Sequence, residues 1–146
     1  MRPVLTMFEQ MGSEPFSQAV GQMAPYFASI DPEVTELKEG YCCALLKNQP
    51  KVHNHLATVH AIAMCNAAEL VAGLTTDASI SEDAQWIPQA MSVKYLAKAK
   101  TDLTVICDAK DVDFSQAGEI LVPVSAVDTD GKECFSAQIT MNVKNP

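Results

Sequence analysis

The segment Val59 to Leu74, VHAIAMCNAAELVAGL, is rich in Ala, Leu and Met and nearly apolar on every side. Those residues favour helix, and a helix without a wet face has to be surrounded. An antiparallel sheet can do this, because one sheet face covers the helix while the other stays in water. One acid, Glu69, interrupts the segment. A carboxylate in such surroundings is costly unless it is paired or used. Gly73 falls near the end of the segment, where a C-cap glycine is expected.

The rest of the chain supplies the cover. Phe135, Ala137, Ile139, Met141 and Val143 alternate with Ser136, Gln138, Thr140 and Asn142, the clearest period-2 signal present. Asp130-Gly131 joins that strand to Glu119–Asp128 as a hairpin. Leu103, Val105 and Cys107 share a further strand face, Gln89 to Lys98 is another candidate, and Gly40 to Leu46 is a short strand before the helix. Ahead of it, Ser13-Glu-Pro15 reads as a helix start, with Ser13 the cap, running toward Ala24 before Pro25. The order is helix, strand, buried helix and about four antiparallel strands, an α+β chain in one domain spanning 1–146.

Composition narrows the function. The net charge of −8 disfavours nucleic acid and anionic lipid surfaces as partners. No apolar run is long enough to cross a bilayer, and the start of the chain has no signal-peptide pattern. The five cysteines are odd in number and lack CxxC spacing, which fits reduced thiols in a cytoplasmic protein. The three histidines match no metal-ligand spacing, so no metal is expected.

The candidate chemistry lies where the buried helix begins, in Asn54-His-Leu-Ala-Thr-Val-His60-Ala61. A helix N-terminus offers unpaired N–H groups and partial positive charge, which can polarise a carbonyl. Glu69 is the candidate general base, against the alternative of an acid paired structurally. Asn54 is read equally as a carbonyl donor or a turn residue, and His60 as a site residue or an organiser of the turn. Ser92, Lys94, Lys98 and Lys100 share strand parity and would meet the phosphates of coenzyme A, or form an ordinary solvated face. Met64 and Met91 are candidates for an acyl tunnel or for core filler.

Asn54, His60 and Glu69, followed by Tyr95-Leu-Ala-Lys-Ala99, resemble the hotdog-fold thioesterases. The nearest branch resembles the phenylacetate-pathway and 4-hydroxybenzoyl-CoA type, and within it an uncharacterised bacterial subgroup. The resemblance covers roughly residues 40–143 in element order. It implies an antiparallel sheet wrapped around one long central helix, and hydrolysis of an acyl-CoA thioester with no cofactor beyond the coenzyme A of the substrate. Its motif is an Asn, then His-Gly-Gly, then a helix acid; here His-Gly-Gly has become His60-Ala61-Ile62, so Ala61 keeps the N–H donor but adds a methyl group. Aligned on Tyr95, the strand hydroxyl of some members falls near Pro88, with Gln89 or Ser92 as substitutes. Tyr95 joins the substrate-binding candidates through this match.

Spacing adds a requirement of its own. Ala61 and Glu69 are eight residues apart, about 12 Å of helix rise. One thioester carbon cannot touch both, so joint action needs two copies of the helix, hence a homodimer or a dimer of dimers. Two other functions compete: a non-catalytic acyl or lipid binder, and an acyl-thioester hydratase or dehydratase using His60 with Glu69.

Overall fold

The computed structural model describes residues 2–146. Three short helices open the chain: α1 (Pro3–Met11), α2 (Ser13–Met23) and α3 (Pro25–Ala28). β1 (Glu33–Lys38) and β2 (Tyr41–Leu46) follow, then α4 (Ala61–Ser79), β3 (Gln85–Tyr95), β4 (Leu103–Asp108), β5 (Gly118–Val127) and β6 (Glu133–Lys144). The strands form one antiparallel sheet in the order β1-β2-β4-β5-β6-β3. The sheet wraps α4, as the all-round apolar segment requires. Among the described residues, no helix is long and apolar enough to cross a membrane.

The alternating strands bury the expected parity. Phe135, Ala137, Ile139, Met141 and Val143 of β6 meet Leu103, Val105 and Cys107 of β4 in one core with Ala67, Leu70, Val71 and Leu74 of α4. The β5–β6 turn closes with Asp128 Oδ1 accepting from the N–H groups of Asp130 and Lys132. Gly131 sits there at φ +81°, a conformation that favours glycine. Pro88 fits inside β3 because β3 is an edge strand and its pairing with β6 is irregular between Pro88 and Ala90.

Four expectations need correction. Helix begins at Pro3 rather than Ser13, because Arg2 ties the start of α1 to the end of α4. Its Nε donates to Asp77 O (2.7 Å), its Nη2 to Asp77 Oδ1 (2.9 Å), and its Nη1 to the carbonyls of Ser81 and Glu82. Ser13 does not cap α2: Gly12 holds that position, and Ser13 Oγ donates to Val34 O and to Glu33 Oε2. β1 is an additional strand, and its mixed sequence EVTELK gives little alternation to read. Gly73 is no C-cap, because α4 continues to Ser79. Its missing side chain instead makes room for Trp86.

Candidate functional site

The loop before α4 is organised by Asn54. Its Oδ1 accepts from the N–H groups of Leu56 (2.9 Å) and Thr58 (3.1 Å), and its Nδ2 donates to Thr58 Oγ1 (2.8 Å). Three hydrogen bonds thus hold the turn and leave one amide hydrogen uncommitted. Ala57 sits in the left-handed region at φ +59°, the kind of backbone strain that persists where surrounding bonds over-determine a loop.

His60 is the N-cap of α4, its Nδ1 accepting from the Ile62 N–H at 3.0 Å. The ring is therefore an organiser of the helix start. It lines a depression with Lys51, His53 and Asn66, apart from the one that Asn54 lines. The next residue, Ala61, opens the helix, and among the described residues nothing accepts its N–H. Ala61 borders a depression of about 320 Å³ lined also by Asn54, Met64, Tyr95, Leu96 and Lys98. Five of the ten predicted site residues are gathered there. The Tyr95 hydroxyl lies 3.8 Å from Cys65 Sγ, a contact that raises the Tyr95 pKa, and its ring stacks on Phe135.

Glu69 is elsewhere. It is half-buried, and among the described residues it has no hydrogen bond or ion pair. It lines a separate apolar cavity of about 220 Å³ between α4, Trp86 and the N-terminal helices. Along α4, Ala61, Cys65, Glu69, Gly73 and Asp77 follow one another at intervals of four, so they share a slowly turning stripe. The N-terminal helices and Trp86 cover its Gly73–Asp77 end. Its Ala61–Glu69 end is half-exposed beside the open edge of β3, where Ile87 and Tyr95 are 64% and 55% accessible.

The remaining candidates separate. Ser92 and Lys94 line a groove with Asp108, Ser125, Ser136 and Gln138, away from Asn54 and Glu69. The basic row does not continue to Lys98 and Lys100, because β3 ends at Tyr95 and the chain turns where Leu96 and Ala97 both donate to Cys134 O. Met91 is partly buried against the core. Among the described residues no group of His, Cys, Asp and Glu side chains is gathered to hold a metal. Sequence reading missed Trp86, Asp77 and Arg2. Trp86 Nε1 and Arg2 Nη2 both donate to Asp77 Oδ1 at 2.9 Å. A glycine inside an apolar helix was the available signal, since such a glycine usually has a packing reason.

A six-stranded antiparallel sheet in this order around one central helix defines a hotdog-fold protein, and solved structures agree. The chain is similar to a thioesterase from Haemophilus influenzae at 12% identity, with a TM-score of 0.76 and coverage of 88% of this chain and 90% of that one. It is similar to a thioesterase family protein from Silicibacter pomeroyi at 13% identity, with a TM-score of 0.75 and coverage of 89% and 96%. A crystal structure known only as a structural-genomics target is 47% identical, with a TM-score of 0.90 over 98% of this chain and 97% of that one. Residues 12–143 match the model of a domain of unknown function, DUF4442, and the chain belongs to that family. No curated protein matches it.

Proposed function

We propose that this protein is an acyl-CoA thioesterase whose site is completed across a homodimer. The observation that carries the reading is the split along α4. A free N–H at Ala61 and an unpartnered carboxylate at Glu69 lie on one half-exposed stripe, eight residues apart and in different cavities. Antiparallel pairing of two such stripes, with the open β3 edges meeting alongside, brings Ala61 of one subunit opposite Glu69 of the other, twice per dimer. The Ala61 N–H polarises the thioester carbonyl, and the uncommitted amide hydrogen of Asn54 is the second donor. Glu69 takes a proton from water and the resulting hydroxide attacks the carbonyl carbon. Collapse of the tetrahedral intermediate breaks the C–S bond, and the thiolate leaves and is protonated.

His60 supports the reaction by fixing the first turn of α4. Tyr95, Met64 and Lys98 border the carbonyl depression, and Lys98 is the cation there for a coenzyme A phosphate. Ser92 and Lys94 would meet the coenzyme only along another face. An odd number of cysteines without CxxC spacing supports a cytoplasmic setting for the reaction.

The test is free-thiol release from short, medium, long and aromatic acyl-CoAs by the wild type and by Glu69→Gln. Release that disappears in the variant supports the mechanism; equal release by both overturns it. The second reading, a non-catalytic acyl binder, is favoured by Ile62, which is exposed at the helix entrance, and by the three hydrogen bonds that Asn54 spends on its own turn. Binding without thiol release would select it. A hydratase would need His60 to act with Glu69, and the capping bond occupies His60 Nδ1.

A further inference from the structure

The cavity beside Glu69 has the chemistry of one end of a ligand. Its wall is built from Val4, Met7, Val20, Ala24, Phe27 and Trp86, together with the α4 stripe. Only two lining residues carry charge, Glu69 and Asp77. The Asp77 carboxylate is held by the Arg2 guanidinium and the Trp86 indole N–H. Glu69 is the group left uncommitted, so the space is apolar with one free carboxylate on its wall. Gly73 lets the cavity's Trp86 wall close onto the helix: a Cβ there would stand 2.8 Å from Trp86 Cη2. The N-terminal helices supply the opposite wall, and Arg2 pins them to the end of α4.

We infer that this cavity holds the acyl chain of the substrate and sets its length, the N-terminal helices serving as the ruler. The inference rests on Glu69 being the carboxylate at the reacting carbon. A chain whose carbonyl sits at Glu69 would run from the stripe into the space between Trp86 and the N-terminal helices. An apolar cavity of about 150 Å³ accommodates benzene, or about 25 Å³ per carbon. At that density the 220 Å³ here takes an unbranched chain of about eight or nine carbons. The carbons of a long-chain acyl group beyond that number would lie outside the cavity, and a two-carbon group leaves most of the apolar wall uncovered. Met7 and Met23 at the N-terminal wall are unbranched side chains that can adjust around a flexible ligand.

The test separates chain binding from turnover. Binding of neutral primary amides from butanamide to dodecanamide is measured calorimetrically on the full chain. Affinity is expected to rise about fourfold per methylene up to octanamide, the ratio that burying one methylene gives, and to stop rising by dodecanamide. Ala24→Phe fills the cavity and should move the break to shorter chains. Met7→Ala enlarges it and should move the break to longer ones. Binding that does not depend on length overturns the inference, as does a break that neither folded variant moves. If Ala24→Phe fails to fold, the wild-type series and Met7→Ala decide alone. Amide binding needs no hydrolysis, so length-dependent binding with no thiol release would sink the thioesterase reading while keeping the cavity as a chain-binding site. Thiol release whose chain preference ignores both variants would do the reverse.

Discussion

The bare Cα of Gly73 faces the indole of Trp86 so closely that an added Cβ would stand 2.8 Å from Cη2. The indole cannot swing aside freely, because its Nε1 donates to Asp77 Oδ1 at 2.9 Å. Alanine would gain helix propensity of roughly 0.5–1 kcal/mol, while overpacking against a tethered ring costs about 1–3 kcal/mol. Gly73→Ala should therefore lose about 1 kcal/mol or more in urea unfolding. A more stable variant would show that the Trp86–Asp77 bond yields easily.

Arg2 is the fastening of the N-terminal helices, with its side chain only 13% accessible, two hydrogen bonds to Asp77 in α4 and two to Ser81 and Glu82 just beyond it. A buried hydrogen bond from a charged donor contributes about 1.5–3 kcal/mol net, and two of these four are exposed. Arg2→Ala should cost about 2 kcal/mol overall and speed proteolysis near Gly12, with the sheet intact. Unchanged protease sensitivity would contradict this role.

His60 should behave as a cap in stability measurements. His60→Ala removes the acceptor of the Ile62 N–H and should cost about 1 kcal/mol. Asn is a strong N-cap residue, so His60→Asn should keep most of the stability. Loss of activity in His60→Asn without loss of stability would instead give the ring a direct part in the chemistry.

Buried thiols make the fold sensitive to alkali. Burial pushes the Cys107 thiol up to about 11 from an ordinary 9.0, against a smaller opposing hydrogen bond from Thr75, and burial also raises Cys42. The unfolded chain ionises these thiols above about pH 9 while the folded chain holds its protons, so fewer protons are bound unfolded and stability falls as pH rises. The loss should run from about pH 9 to 11 and reach about 2–3 kcal/mol for Cys107. At neutral pH a thiol reagent should modify Cys43 and Cys65, which are half-exposed, well before Cys42, Cys107 and Cys134. Flat stability across that window would contradict the burial.

Much of this architecture is readable from local pattern. The apolar all-round segment became α4 and the alternating runs became β4 and β6, because each pattern has one period that buries it. The open ends of elements were harder. α1 depends on Arg2 reaching a helix terminus 75 residues away, and no local pattern encodes such a contact. The loop residues Asn54, Ala61, Tyr95 and Lys98 came together because one turn and one strand end supply them. Ser92 and Lys94 did not join them, since parity along the sequence does not say where β3 stops. The separation of Ala61 from Glu69 was legible as helix rise alone.

That separation allows a direct test. Ala61→Pro deletes the candidate donor while keeping the helix, because proline is tolerated at the first helical position and His60 before it is already extended, at φ −64° and ψ 137°. Alone it should reduce thiol release about 10²–10³-fold, as for loss of an oxyanion donor, and Glu69→Gln alone should also be inactive. Hybrid dimers made from the two inactive variants regain one intact site, formed by Ala61 of the Glu69→Gln subunit and Glu69 of the Ala61→Pro subunit. The account predicts recovery of about a quarter of wild-type thiol release on random mixing of subunits. Proven hybrid dimers that remain inactive would contradict a site shared between subunits.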